Sequence, residues 1–243
     1  MTFTAKLIAR RELTAEVFEL EFQAPAGFTY APGNFATVRV PQQKGGPLFR
    51  SYTFASAPNP QGSFKFLVKL FRGAGGRPGQ GGGYLKALPL GATAEFLGPL
   101  GQGKFMAAYT SPRKLLLLGT GTGIAPFLAL AQDFTERQAP RPLLLFLGVS
   151  YEQDIFYLKE FEALQCRNPN FAFRIALSRP PANYPGLAGR LPAVLAAEFP
   201  AGLAADFEAK VCGSRAVVQA IKVRLRELGL AEERIEAAGF GET

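Results

Sequence analysis

The run LLLLGTGTGIAPFLALA at residues 115–131 constrains this chain more than any other stretch. Four consecutive leucines read as a fully buried strand and Ile124–Ala131 as the start of a helix, which makes Gly119–Gly123 a tight strand-to-helix turn. Without Cβ atoms at Gly119, Gly121 and Gly123, a diphosphate can approach the backbone, and the free N–H groups of the first helical turn face it. The same junction serves a second use equally well, as a device for packing a helix closely against a strand. No lysine follows in the manner of a P-loop, and GxGxG spacing departs from the usual GxGxxG dinucleotide fingerprint.

Composition narrows the chemistry. The 243 residues hold two cysteines, Cys166 and Cys212, and no histidine. Two thiols cannot hold an iron–sulfur cluster, the usual zinc sites lack their imidazoles, and Ser-His-Asp and Cys-His hydrolysis is excluded. No metal site is expected, and any redox chemistry must be organic. No apolar run approaches the roughly 18 residues of a membrane span, and MTFTAKLIARRE lacks the order of a signal peptide, so a cytoplasmic protein is expected.

The remaining chain divides in two by texture. Residues 3–23 alternate as two strands with one wet face. Phe35–Val40, the stretch FRSYTFASAP at 49–58, Ser63–Phe71 and Gly91–Phe96 follow as further strands. Six short strands at this spacing read as an antiparallel β-barrel. A Gly-rich loop, Arg72–Gly83, precedes a short helix at Tyr84–Leu88; it is either a flexible lid or a second place where backbone N–H groups meet a diphosphate. After Ala107–Arg113 strands alternate with helices: Leu115–Leu118, helix Ile124–Arg137, Leu143–Gly148, helix Asp154–Leu164, Ala172–Leu177, helix Leu191–Phe199, Lys210–Cys212 and helix Arg215–Leu228. That alternation is an α/β domain on a parallel sheet, with ligands beyond the carboxyl ends of the strands. The expected domains are therefore 1–111, a barrel, and 112–243, a parallel α/β domain.

Charge follows the same division. Residues 1–111 carry 12 Lys/Arg and 5 Asp/Glu, against 15 and 14 in residues 112–243. A basic first half attracts anions, whether nucleotides, acidic proteins or nucleic acid, or is simply a solvated basic surface. No nucleic-acid motif is present, and no such partner is expected.

Four motifs occur in one order and together resemble those of the ferredoxin–NADP reductase superfamily: RSYT at 50–53, GTGTGIAPF at 119–127, LGVSYEQDIFYLKEF at 147–161 and VCGSRAVVQAI at 211–221. The resemblance covers essentially the whole chain and implies an FAD-binding antiparallel barrel followed by an NADP-binding parallel domain. It places Arg50 on the FAD diphosphate, Tyr52 against the isoalloxazine, Thr53 near flavin N5 with Ser51 beside it, and Phe66, Val68 and Lys69 along the ribityl–phosphate region. The family's G-x-x-S before the short helix falls on Gly79–Gly82 without its serine, leaving the backbone of Gly81, Gly82, Gly83 and Tyr84 to bind the diphosphate. Thr120, Gly121 and Thr122 would hold the nicotinamide dinucleotide, and Cys212 would position its ring. Ser178, Arg179 and Arg190, with no acid between them, resemble the S-R and G-R pair that binds a 2′-phosphate, which implies NADP(H). Phe240 would pack on the flavin. The family's C-terminal glutamate is replaced by Ala238, leaving Glu236 or Glu242 to deliver a proton. The resemblance further implies hydride transfer between nicotinamide C4 and flavin N5. Electrons would then pass to a ferredoxin or flavodoxin, with Arg10, Arg11, Lys44, Lys65 and Arg77 as docking cations on a monomer or weak dimer. Other readings within the superfamily are the reductase component of an oxygenase, a free-flavin reductase, or an electron-transfer subunit of a larger complex.

Overall fold

The computed structural model describes residues 1–42, 45–71, 78–101, 105, 107–203 and 206–240. The chain separates into two compact units, Met1–Met106 together with Leu128–Leu130, and Ala107–Phe127 together with Ala131–Thr243.

The first unit is one antiparallel sheet: β1 (Thr2–Glu12), β2 (Val17–Gln23), β3 (Phe35–Val40), β4 (Leu48–Thr53), β5 (Ser63–Lys69) and β6 (Thr93–Leu100), in the order β4-β3-β6-β1-β2-β5. An isolated antiparallel bridge between Phe54 and Phe66 joins the chain just past β4 to β5, curling the sheet into the expected barrel. Alternation decides the inside. Phe3, Ala5 and Leu7 of β1 are buried while Thr2, Thr4 and Lys6 are exposed, as a period of two on a half-wet sheet requires. Phe22, Phe54, Phe64, Phe66 and Phe96 fill the interior, with Phe54 and Phe66 stacked at 5.3 Å.

One segment differs from its sequence reading. Residues 80–83 are not loop but the first turn of helix α1 (Gln80–Ala87). Glycine is a poor helix former, so propensity argues for loop here, and packing overrides it.

The second unit is a six-stranded parallel sheet. Its strands are β7 (Lys114–Thr120), β8 (Leu143–Val149), β9 (Phe171–Leu177), β10 (Leu187–Ala188), β11 (Phe207–Ser214) and β12 (Ile235–Phe240), in the order β10-β9-β8-β7-β11-β12. Its helices are α2 (Ala125–Glu136), α3 (Leu158–Arg167), α4 (Leu191–Glu198) and α5 (Arg215–Glu227). Leu116, Leu118, Phe146 and Val211 pack with Leu195 of α4 and Ile221 of α5 on one face. Leu115, Leu117, Leu145 and Leu147 alternate with them and are buried too, so both faces are covered and the leucine run is explained. β10, only two residues long, is absent from the sequence reading; a pair of residues carries no periodicity. The strand order reverses between β7 and β11, a topological switch point, the place in such sheets where ligands bind beyond the carboxyl ends.

Candidate functional site

In the first unit the site grows from β4. Arg50 and Tyr52 alternate onto the same side as Phe54, which is fully buried, so that side leads into the barrel. Tyr52 packs on Phe66 with ring centroids 5.9 Å apart, and burial pushes its phenol up to about 12 although Arg50 pulls the other way. On the opposite side Ser51 and Thr37 share a hydroxyl–hydroxyl hydrogen bond of 2.9 Å across the β3–β4 pair, and Thr53 lies opposite Phe35.

The first turn of α1 lies directly over this strand. A Cβ on Gly81 would stand 2.7 Å from Arg50 Cγ and 2.9 Å from the Tyr52 hydroxyl; one on Gly82 would stand 3.3 Å from the Lys69 carbonyl oxygen. Gly83 meets only Pro78, at ordinary contact distance, and Tyr84 is half-buried against the barrel core. The turn has no side-chain cap and no acidic residue. Arg50 donates to the neighbouring Phe49 carbonyl at 2.9 Å and has no carboxylate partner among the described residues. An uncapped helix start beside an uncompensated guanidinium and a half-buried phenol is a donor set suited to a diphosphate bearing a flat ring system, and FAD fits it. Phe66 and Val68 have their side chains wholly in the barrel core, so what they can offer a ligand is backbone. Lys69 is ion-paired to Glu16 at 3.6 Å, with its ammonium 5.8 Å over the ring of Phe71.

In the second unit the switch point is lined by the ends of β7 and β11. The glycines of the turn divide their labour, which corrects the expectation that all three open it to a phosphate. A Cβ on Gly123 would collide with the carbonyl of Cys212, and one on Gly119 would meet Ile124 Cα at 2.9 Å. Gly213 is pressed in the same way against the Thr120 hydroxyl. Gly119 and Gly123 let backbone approach backbone, and Gly213 makes room for the Thr120 side chain. Gly121, at φ +51° with nothing within 4 Å of its Cβ position, faces open space between Thr120 and Thr122 at the head of a short 3₁₀ turn leading into α2.

Cys212 is buried opposite Gly119, and Phe240 lies opposite Ser214 at the end of β12. Phe240 remains 39% exposed, so it is a presented ring and not a core residue. Glu236 aligns with Lys210 and is ion-paired to it, which ties up the carboxylate considered for proton delivery; Glu242 lies outside the described residues.

β10 assembles the third cluster. Its parallel pairing sets Leu187 beside Ala176 and Ala188 beside Leu177, and the Gly189 N–H donates to the Leu177 carbonyl at 2.8 Å. The chain then runs through Gly189 to Arg190, two residues past the end of β10, while Ser178-Arg179 directly follow the end of the paired strand β9. Arg179 donates to the Tyr151 hydroxyl at 2.8 Å and lies 5.6 Å from that ring, and the bond raises the affinity of its guanidinium for its proton. Arg190 is exposed at the N-cap of α4. Neither arginine has a carboxylate partner among the described residues. Tyr151 escaped the sequence reading; its one signal was an aromatic two residues past a buried strand, at the ligand-binding end of the sheet.

The docking cations fare differently. Arg10 donates to the carbonyls of Leu85 and Leu88, Arg11 pairs with Glu19 at 3.5 Å, and Lys65 bridges Glu19 and Glu21 at 3.2 and 3.7 Å. These three are committed within the unit, and Lys44 and Arg77 lie outside the described residues. Among the described residues no cluster of metal-ligating side chains occurs and no helix is long and apolar enough to cross a membrane.

Comparison with known proteins agrees with this division. Residues 4–105 match the family model of the oxidoreductase FAD-binding domain, and residues 117–223 that of the oxidoreductase NAD-binding domain. The chain is 32% identical over 245 residues to ferredoxin–NADP reductase B of Sorangium cellulosum, covering 98% of this chain and 97% of that one. It is 28% identical to a Ralstonia ferredoxin–NAD(P)(+) reductase component of naphthalene dioxygenase/salicylate hydroxylase systems, covering 94% of this chain and 66% of that one. Among solved structures, a Neisseria gonorrhoeae ferredoxin NADP+ reductase with bound FAD and NADP superposes with a TM-score of 0.80 at 20% identity, covering 98% of each chain. An Amycolatopsis cytochrome P450 reductase gives 0.85 at 22%, covering 99% of this chain and 70% of that one. With its RSYT strand, its paired nucleotide-binding domains and this near end-to-end match, the chain is an FAD- and nicotinamide-dinucleotide-binding oxidoreductase and belongs to the ferredoxin–NADP reductase superfamily.

Proposed function

We propose that the protein is an NADPH-dependent reductase that delivers electrons to a ferredoxin or flavodoxin. The observation that supports the coenzyme assignment is that Arg179 and Arg190 follow the ends of the paired strands β9 and β10, neither with a carboxylate partner among the described residues. A 2′-phosphate is a dianion that a pair of guanidiniums recognises, whereas a ribose hydroxyl is usually met by a carboxylate. Tyr151 orients Arg179 and offers a ring beside it.

The chain's own contribution is orientation and charge. Arg50 and the first turn of α1 hold the flavin diphosphate, Tyr52 lies against the ring system, and Ser51 and Thr53 present hydroxyls on the other side of β4. Gly121, flanked by Thr120 and Thr122, receives the second diphosphate at the switch point. Cys212 and Phe240, on adjacent strands, flank the place where the nicotinamide is presented. FAD held there would supply the chemistry that matches a two-electron hydride donor to a one-electron acceptor.

The decisive experiment is anaerobic stopped-flow absorbance with NADPH and NADH separately, following loss of oxidised flavin, in the wild type and in Arg179→Ala and Arg190→Ala. Preference for NADPH that falls ~10-fold or more in each variant, with NADH rates little changed, is expected. An unchanged NADPH/NADH ratio sinks the coenzyme assignment and favours an oxygenase-reductase role instead.

A further inference from the structure

Helix α1 should not be stable by its own sequence. It has eight residues, and three of the first four are glycines, among the poorest helix formers. Its N-cap, Gly79, supplies no side chain, and its first turn carries no acid to favour the helix dipole. Nor can Gly81 be exchanged for a better helix former, because a Cβ there would run into Arg50 and Tyr52.

What holds the helix is at its other end. Leu85 and Leu88 are buried in the barrel core, and their carbonyls, which as C-terminal groups have no partner within the helix, both accept from Nη2 of Arg10 near the end of β1. Two residues along β1, Glu12 reaches Lys86 of the same helix at 3.6 Å, an exposed pair that adds little to this hold. The Arg10 Nε is buried and without a partner, so the guanidinium gives up a hydrogen bond it would make in water in order to reach those carbonyls.

We infer that Arg10 is a positioning residue for the flavin dinucleotide, acting through α1 from the far end of a helix ~12 Å long. A cation at the carboxyl end and an anion at the amino end stabilise one helix from both sides, so each strengthens the other's hold. The inference rests on the reading that the first turn of α1 binds the FAD diphosphate. It also moves Arg10 from the docking surface, where the sequence placed it, to the cofactor's support.

The test compares wild type with Arg10→Met, which keeps the length and loses the donors, and Arg10→Lys, which keeps the charge and one reach. FAD affinity is measured by flavin fluorescence released on dilution of the holoprotein, and local order by hydrogen exchange of the α1 amides. Arg10→Met should weaken FAD binding ~10-fold and Arg10→Lys by less, with faster exchange confined to α1 and unchanged binding of 2′,5′-ADP by the second unit. Glu12→Gln removes only an exposed ion pair and should leave FAD affinity unchanged. Unaltered FAD affinity in Arg10→Met overturns the inference, and so does loss of FAD with exchange accelerated throughout the barrel, which makes Arg10 an ordinary fold residue. Gly81→Val tests the underlying reading by itself: if it retains wild-type FAD affinity, the diphosphate site is misplaced, whatever Arg10 does.

Discussion

Two glycines two residues apart in the GTGTG turn have opposite reasons to be glycine. At Gly123 the constraint is space, since a methyl group would overlap the Cys212 carbonyl; at Gly121 it is backbone conformation alone. Gly123→Ala should therefore destabilise the second unit by several kcal/mol, of the order of an overpacked core position. Gly121→Ala should cost about 1 kcal/mol for its left-handed φ and act chiefly on dinucleotide affinity. Thermal melts with and without coenzyme separate the two, and equal losses of Tm would show that both are packing glycines. Phenols give a second residue-scale test. Tyr52 is raised to about 12 by burial, and Tyr109 to about 12 by burial and by its 2.6 Å bond to the Asp133 carboxylate. The folded state thus keeps protons that the unfolded chain loses near the ordinary phenol value of 10.0, so stability falls as pH rises from there toward 12. Tyr109→Phe should lessen that alkaline slope, read from urea melts between pH 9 and about 11.

Among elements, β10 has the largest consequence for its size. Two residues of parallel pairing fix β10 against the end of β9, two residues before Arg190, and Gly189 takes φ +129°, a conformation essentially reserved for glycine. Gly189→Val should raise KM for NADPH ~10-fold with little change for NADH, and a parallel rise for both would mean that β10 serves the fold and not the phosphate. At the opposite end of the same sheet Arg141 is almost wholly buried, donating to the carbonyls of Arg113 (2.8 Å) and Ala108 (3.2 Å) and to the Glu208 carboxylate (2.6 Å). It lies before β8 in a Pro-rich segment that reads as a surface loop. Arg141→Met should cost about 3 kcal/mol, lowering Tm by ~6–12 °C. Burial pushes the Glu208 carboxyl up, but the bonds from Arg141 and Arg113 prevail and hold it below 4.5. Its contribution is therefore full above that pH and lost as pH falls through the folded value, and Glu208→Gln should flatten the acid limb of the stability profile.

For the molecule as a whole, charge and titration are set by composition. There is no histidine, so no side chain has its ordinary titration between about pH 5 and 8. Reduction of the protein by NADPH should accordingly be nearly flat from pH ~6 to 8.5, and a limb centred near 6.5 would point to a perturbed group that the structure does not reveal. The formal charge is +8, most of it in the first 111 residues. Arg11 and Lys65 are already paired with Glu19 and Glu21, so if the proposed acidic carrier docks on this charge, neutralising Arg11 or Lys65 should change acceptor reduction less than raising ionic strength to 0.5 M does.

Local pattern was enough to recover the architecture. Period-two alternation gave the barrel strands, and uniform leucine gave the buried parallel strands, since each is a property of neighbours in the chain. Tertiary structure decided whatever depends on residues far apart: that Gly81–Gly83 are helical because α1 must lie on β4 and β5, that Gly119 and Gly123 serve packing while Gly121 stays open, and that Arg10 turns to the end of a helix while β10 pairs with β9. A side chain's type fixes the bonds it can make, but the partner that claims them is set by which strands become neighbours, and burial then makes that choice costly to undo.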